Sequence, residues 1–144
     1  MQWYRKILIP TDGSKYAQNA VTRGLYIAKR LNADVTFLTV IDVKATVSLQ
    51  QGLGVPDEYA YQQKAAEAAV EAAEAVAKEM GVRATSIVKR GSPAYDIIEE
   101  SKKHDLIVMA SRGRTGVARL FVGSVAEKVV RFAACPVLVV KTPE

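Results

Sequence analysis

Short β-branched and leucine-rich runs alternate along this chain with longer stretches of helical spacing. The first run, KILIP (Lys6–Pro10), stops at Pro10, and PTDGS follows as a turn with Ser14 placed to cap a helix. Ala17, Ala20, Val21, Leu25, Ile27, Ala28 and Leu31 then recur at near-helical intervals. Gly24 interrupts that helix at a cost of about 1 kcal/mol relative to alanine. Close packing against a neighbour is the expected reason for it.

ADVTFLTVI (Ala33–Ile41) reads as a second strand. Residues 42–57 carry two glycines and a proline with no clear period, and a long irregular stretch in a compact domain is often a lid or binding loop. A helix starting near Asp57 and reaching Met80 has very high helix propensity, and Gly81 ends it. Arg83–Lys89 is the third strand, and GSPAYDIIEESKK a helix with Ser92 at its cap and Pro93 at its first position. Asp105–Ser111 is a fourth strand, apolar enough for burial on both faces. SVAEKVVRFAA is a final helix and Pro136–Lys141 a fifth strand.

The order β-α-β-α-β-α-β-α-β predicts a parallel sheet between two layers of helices. The expected fold class is α/β: a doubly wound, Rossmann-like, five-stranded sheet of order 3-2-1-4-5. With 144 residues and no linker or repeat, residues 1–144 are expected to form one domain.

Composition narrows the chemistry. No apolar run approaches the roughly 20 residues of a membrane span, and the N-terminus has no signal-peptide pattern, so a cytoplasmic protein without membrane contact is expected. One cysteine excludes a disulfide within the chain. Cys135, in FAACPVLVV, is expected to be a small buried hydrophobe, and His104, in KKHD, a solvated residue at a helix end. A single Cys and a single His remove the usual ingredients of zinc sites and of Cys-His or Ser-His-Asp catalysis. A net charge of +5, spread without a basic tail, suits either a small anionic ligand or weak contact with nucleic acid.

Ligands of open α/β sheets bind at the C-terminal strand ends, where the strand order reverses. Two strand ends here are chemically unusual: Pro10-Thr11-Asp12-Gly13-Ser14 and Ala110-Ser111-Arg112-Gly113. In the 3-2-1-4-5 order they meet at one crevice. Gly123-Ser124 precedes the last helix, whose N-terminal amides and partial positive charge offer an anion site, or else an ordinary cap. Arg112 and Arg114 add positive charge nearby. Asp12 can cap a helix, accept from a ribose hydroxyl, or hold a divalent ion with phosphates. There is no G-x-x-x-x-G-K-[ST] and no G-x-G-x-x-G after the first strand. GRTG (Gly113–Gly116) matches the short loop of KH RNA-binding domains but follows a strand instead of joining two helices.

The spacing Ala110-x2-Gly113-x9-Gly123-Ser124, with ILIPTDGS near the start and GSVAEKVVRFAACPVLVVK near the end, resembles the universal stress protein family in its ATP-binding branch. The resemblance covers essentially the whole chain. It implies a nucleotide-binding regulatory or stress-response protein that holds ATP (or ADP or AMP), with Mg²⁺ or Mn²⁺ as a companion ion. It implies that Pro10, Thr11 and Asp12 line the nucleotide, with Asp12 toward the ribose and any metal. Val40, Met109 and Ala110 would flank adenine and ribose, and Gly113, Gly123, Ser124 and Val125 would hold phosphates. It further implies a homodimer built on the last strand, residues 136–141, and PVLVV has the character of an edge strand that templates pairing. Where the family signature opens on glycine this chain has Ala110. A close approach to the ligand would tolerate the methyl, whereas a required positive φ would not. The alternatives are therefore a non-catalytic binder, a slow ATPase, and a dimeric interaction module of the same fold that has lost its site.

Overall fold

The computed structural model describes residues 3–44, 58–112 and 122–141. Nine elements follow in order: β1 (Lys6–Pro10), α1 (Lys15–Leu31), β2 (Asp34–Asp42), α2 (Glu58–Met80), β3 (Ala84–Gly91), α3 (Pro93–Ser101), β4 (Leu106–Ala110), α4 (Ser124–Phe132) and β5 (Val137–Val140). All strand pairs are parallel and the order is β3-β2-β1-β4-β5, the order expected. The irregular stretch ending at residue 57 lies outside the described residues beyond Lys44.

The strands alternate their side chains between two apolar layers. Ile7, Ile9, Val35, Phe37 and Val108 face α1 and α2, packing on Leu25 and Ala28 of α1 and Val70 and Ala73 of α2. Leu8, Leu38, Ile107 and Met109 face the other way, against Ile97 of α3 and Ala126 and Val129 of α4. Burial on both faces is why β4 reads as an unbroken apolar run. No helix among the described residues is long and apolar enough to cross a membrane.

Gly24 has the close neighbour that its place in a helix interior implied. A Cβ there would lie 2.5 Å from Ile9 Cδ1 and 3.3 Å from Val108 Cβ, so α1 rests directly on β1 and β4. Gly81 closes α2 in the left-handed region at φ 72°, and Asn32 does the same for α1 at φ 54°. Ser14 caps α1, its Oγ accepting from the Ala17 N–H at 3.2 Å. Ser92 occupies the N-cap position of α3 with Pro93 following, but its hydroxyl makes no cap bond. The Asp96 carboxylate instead accepts the Ser92 N–H at 2.9 Å.

Two expectations need correction. The His104 side chain is 5 % exposed, not solvated. Its Nδ1–H donates at 3.0 Å to the Glu100 carbonyl at the end of α3, which also accepts the Lys103 N–H. Polar neighbours in KKHD conceal this, because the bond is made backwards onto the helix. Cys135 is half-buried rather than fully buried, packed against the α3–α4 layer. Burial, reinforced by the Asp105 carboxylate, pushes its thiol above the ordinary value. The thiolate is the reactive form. Alkylation of Cys135 at neutral pH is therefore expected to be severalfold slower than that of a free thiol, and to reach the free rate once the chain is unfolded in urea. Equal rates in the native and unfolded chain contradict this.

Candidate functional site at the strand switch point

β1 and β4 are neighbours, so the strand order reverses between them. Their register runs through Ile7↔Leu106 and Leu8↔Ile107 and stops short of the ends, Pro10 and Ala110. Proline has no N–H to carry the ladder further. The two strand ends predicted to meet are thus adjacent and untied at the C-terminal edge of the sheet.

On the β1 side the turn is built from its own side chains. The Thr11 N–H donates to the Leu38 carbonyl at 2.9 Å. Thr39 returns the contact, its buried hydroxyl donating to the Thr11 carbonyl at 2.7 Å. Thr39 escaped the sequence reading, although a buried threonine within an apolar strand is itself a signal. The Thr11 hydroxyl accepts from the Gly13 N–H at 3.3 Å, and Asp12 Oδ1 accepts from the Ser14 N–H at 2.9 Å. Asp12 thus closes the turn ahead of α1, whose cap is Ser14 and not Asp12 as one reading of it had expected. A carboxylate offers about four acceptor sites, so this bond does not exhaust its capacity for a hydroxyl or a cation.

Gly13 sits at φ 79°, where a Cβ costs roughly 1–2 kcal/mol. Gly13→Ala is expected to lower unfolding stability by about 1 kcal/mol, read as a shifted denaturant midpoint at unchanged slope. An unchanged midpoint would mean that the turn relaxes freely.

On the β4 side, Ser111 is buried and fastened at both ends. Its N–H donates to the Val140 carbonyl at 3.0 Å, and its carbonyl accepts the Gly123 N–H at 2.7 Å. That second bond holds the start of α4 against the end of β4. Gly123 is the N-cap at φ −63° and, as a glycine, brings no side-chain cap bond to the first turn of α4. The reason for glycine here is space: a Cβ would lie 3.2 Å from the Ser111 carbonyl oxygen and 3.5 Å from Arg112 Cα. Ser124 is exposed in the first turn of that helix, with Val125 half-buried behind it.

Ala110 ends β4 opposite Val140. Among the described residues the only non-glycine with positive φ is Asn32, so Ala110 carries no left-handed strain. Of the two alternatives for this position, the one that would exclude alanine on backbone grounds does not apply.

The remaining predicted positions divide. Pro10 ends β1 half-buried, and Val40, near the end of β2, packs on the α3–α4 layer. The Met109 side chain is core on that same layer. Arg112 lies at the mouth of the crevice, its guanidinium 4.4 Å from the centre of the Tyr16 ring. Gly113 and Arg114 lie outside the described residues. A groove of ≈ 550 Å³ opens beside Thr11 and Gly13, running between Val21 and Thr22 of α1 and the alanine face of α2.

A doubly wound parallel sheet with an Asp-Gly turn and a helix N-terminus at its switch point has the architecture in which α/β proteins bind ligands at strand ends. The profile described as the universal stress protein family matches residues 4–141, and the chain belongs to that family. It is 40% identical over 149 residues to the universal stress protein MJ0531 of Methanocaldococcus jannaschii, spanning 98% of this chain and 84% of that one. Among solved structures it is similar to the hypothetical protein MJ0577, with a TM-score of 0.80, 28% identity and 99% of each chain covered. It is also similar to a universal stress protein crystallised in complex with cAMP, with a TM-score of 0.71, 26% identity, and 97% of this chain and 98% of that one covered.

Proposed function

We propose that residues 1–144 act as a single nucleotide-binding domain that holds an adenine nucleotide, ATP above all, as a regulatory element of the stress response. The observation that carries this reading is the start of α4. Its N-cap is a glycine, which has no side chain to make a cap bond, and the helix start is pinned by the Gly123–Ser111 bond beside the switch point. Backbone amides fixed in this way, with the helix dipole behind them, receive a phosphate without rearrangement. The complex of a similar family member with cAMP supports the same ligand class.

In this reading Gly123, Ser124 and Val125 hold phosphates through N–H groups and the Ser124 hydroxyl, with Gly113 beyond them. Pro10, Thr11 and Asp12 border the ribose, and Val40, Met109 and Ala110 offer backbone or small surface to the base. Mg²⁺ or Mn²⁺ would be held jointly by Asp12 and the phosphates. Among the described residues no group of three or more His, Cys, Asp or Glu side chains forms an independent metal site.

Calorimetric titration with ATP is expected to give saturable binding, and flat traces with both ATP and AMP would refute the reading. Phosphate release is expected at the no-protein background. Steady release that is lost in Asp12→Ala would define a slow ATPase instead. The alternative of a non-binding module was favoured by Ala110, whose backbone has no positive φ.

The same reading makes the protein a homodimer. Among the described residues β5 pairs only with β4, and Leu138 on it is 42% exposed. A groove of ≈ 620 Å³ runs from Leu138 and Val140 to Tyr26 and Ile27 of α1. An apolar edge of this kind invites a second strand. Sedimentation of the wild type is expected to show a dimer and that of Leu138→Lys a shift toward monomer; a monomeric wild type would exclude the arrangement.

A further inference from the structure

Two threonine hydroxyls end the ladder between β1 and β2. Along β2 successive residues point their backbone groups alternately to the two neighbouring strands. The Val35 N–H donates to the Arg83 carbonyl, just ahead of β3, and the Asp34 N–H to the Arg5 carbonyl, just ahead of β1, each at 2.9 Å. Even-numbered residues of β2 therefore face β1. Leu38 keeps this pattern by accepting the Thr11 N–H at 2.9 Å. Val40 is the next residue on that side. In a regular parallel ladder its N–H would donate to the Thr11 carbonyl and its carbonyl would accept the Gly13 N–H. Among the described residues neither bond is made. The Thr11 carbonyl takes the Thr39 hydroxyl instead, at 2.7 Å, and the Gly13 N–H turns to the Thr11 hydroxyl, at 3.3 Å. The register with β1 accordingly stops at Pro10↔Leu38, while β2 runs on beside β3 to Asp42.

Backbone groups inside a sheet are paired as a rule, so a donor and an acceptor left open on one residue form a place for a partner to complete. We propose that Thr39 is a positioning residue for the nucleotide base. By occupying the Thr11 carbonyl, its hydroxyl keeps the Val40 N–H from closing the ladder, and the Val40 N–H and carbonyl stay open together toward the crevice. The proposal rests on the nucleotide-binding reading and names the device that prepares its base contact. A donor beside an acceptor complements the edge of adenine, whose N1 accepts and whose N6 amino group donates. Inosine presents the opposite pattern, a donor at N1 and an acceptor at O6, and a site built for one pattern rejects the other. Thr39 touches no ligand atom. It is buried, and it acts only through the Thr11 carbonyl and Val40.

The test compares the wild type with Thr39→Val, which keeps the shape and loses the hydroxyl, and Thr39→Ser, which keeps the hydroxyl. Each variant's fold is checked by its thermal melt. Amide hydrogen exchange on the protein alone comes first. In the wild type and Thr39→Ser the Val40 N–H is expected to exchange about tenfold faster than that of Leu38, which the register pairs with Pro10. In Thr39→Val it closes onto the freed Thr11 carbonyl and slows by about tenfold. Calorimetry with adenosine, inosine and ATP follows. Thr39→Val is expected to lose about tenfold for adenosine and for ATP alike, and with it the preference for adenosine over inosine, whereas Thr39→Ser binds as the wild type does. A Val40 amide as slow as that of Leu38 in the wild type would show that the hydroxyl diverts nothing. A Thr39→Val variant that keeps the wild-type preference for adenosine would separate Thr39 from the base. Either result overturns the inference while nucleotide binding stands. A wild type that binds none of the three ligands overturns both.

Discussion

Gly24→Val is expected to lower the free energy of unfolding by about 3 kcal/mol, the upper part of the range for overpacking a closed core. α1 is seated on the sheet at the distance a glycine permits. A Cβ at residue 24 would stand 2.5 Å from Ile9 Cδ1, 3.2 Å from Ile9 Cγ1 and 3.3 Å from Val108 Cβ. Ile9 and Val108 are themselves fully buried. Alanine adds one methyl and recovers about 1 kcal/mol of helix propensity, so Gly24→Ala is expected to cost at most about 2 kcal/mol. Valine adds two more methyls without that recovery, and α1 must lift from β1 and β4. Denaturant unfolding measures this directly as a lower midpoint at unchanged slope. A Gly24→Val variant as stable as the wild type would mean that α1 is not seated at this distance. Lifting α1 also moves Ser14 and the Asp12 turn, so nucleotide affinity is expected to fall along with stability.

Gly123→Val is expected to weaken nucleotide binding by about 100-fold with a much smaller effect on stability. The atoms that a Cβ would meet are backbone: the Ser111 carbonyl oxygen at 3.2 Å and Arg112 Cα at 3.5 Å. Neither can rotate away, because Ser111 is bound through both its N–H and its carbonyl. The start of α4 has to move instead, taking the amides of Ser124 and Val125 with it. Two charge-assisted hydrogen bonds at roughly 1.5 kcal/mol or more apiece give the 100-fold scale. Gly123→Ala, with one methyl to accommodate, is expected to lose about tenfold. Calorimetry beside a circular-dichroism melt separates affinity from folding. Wild-type affinity in Gly123→Val would show that α4 does not supply the phosphate contacts.

The two ends of the family signature behave differently in the structure, and spacing alone does not show why. Gly123 is required by a carbonyl oxygen from another element, with an ordinary φ of −63°. Ala110 sits in the regular strand conformation that alanine adopts freely. Both positions are glycine in the family pattern that the sequence resembles, yet only one meets a backbone atom that excludes a side chain.

Much of the fold is written locally. β1 spans the residues its apolar run marks, and β2 lies one residue along from the predicted span, because alternating burial on two helical layers demands that pattern. The caps at Ser14 and Gly81 are equally local, since each is set by a single residue's hydrogen bond or φ. The meeting of the PTDGS turn with Ala110-Ser111-Arg112 followed from the sequence only on the condition that β1 and β4 are neighbours, and the strand order meets that condition.

What the sequence could not carry is contact between distant positions. The stacking of Arg112 on Tyr16, the clamp between Thr39 and Thr11 and the burial of His104 each depend on which elements the sheet brings together. Hydrophobic periodicity and turn chemistry are properties of neighbouring residues, so this chain's sequence by itself determined its elements, their order and the two loops that bear the chemistry. Packing depends on the space left between elements distant in sequence. Only the tertiary structure decided that Gly123 has little room for a side chain, that Ala110 keeps an ordinary strand backbone, and that Tyr16 of the first helix lies against Arg112.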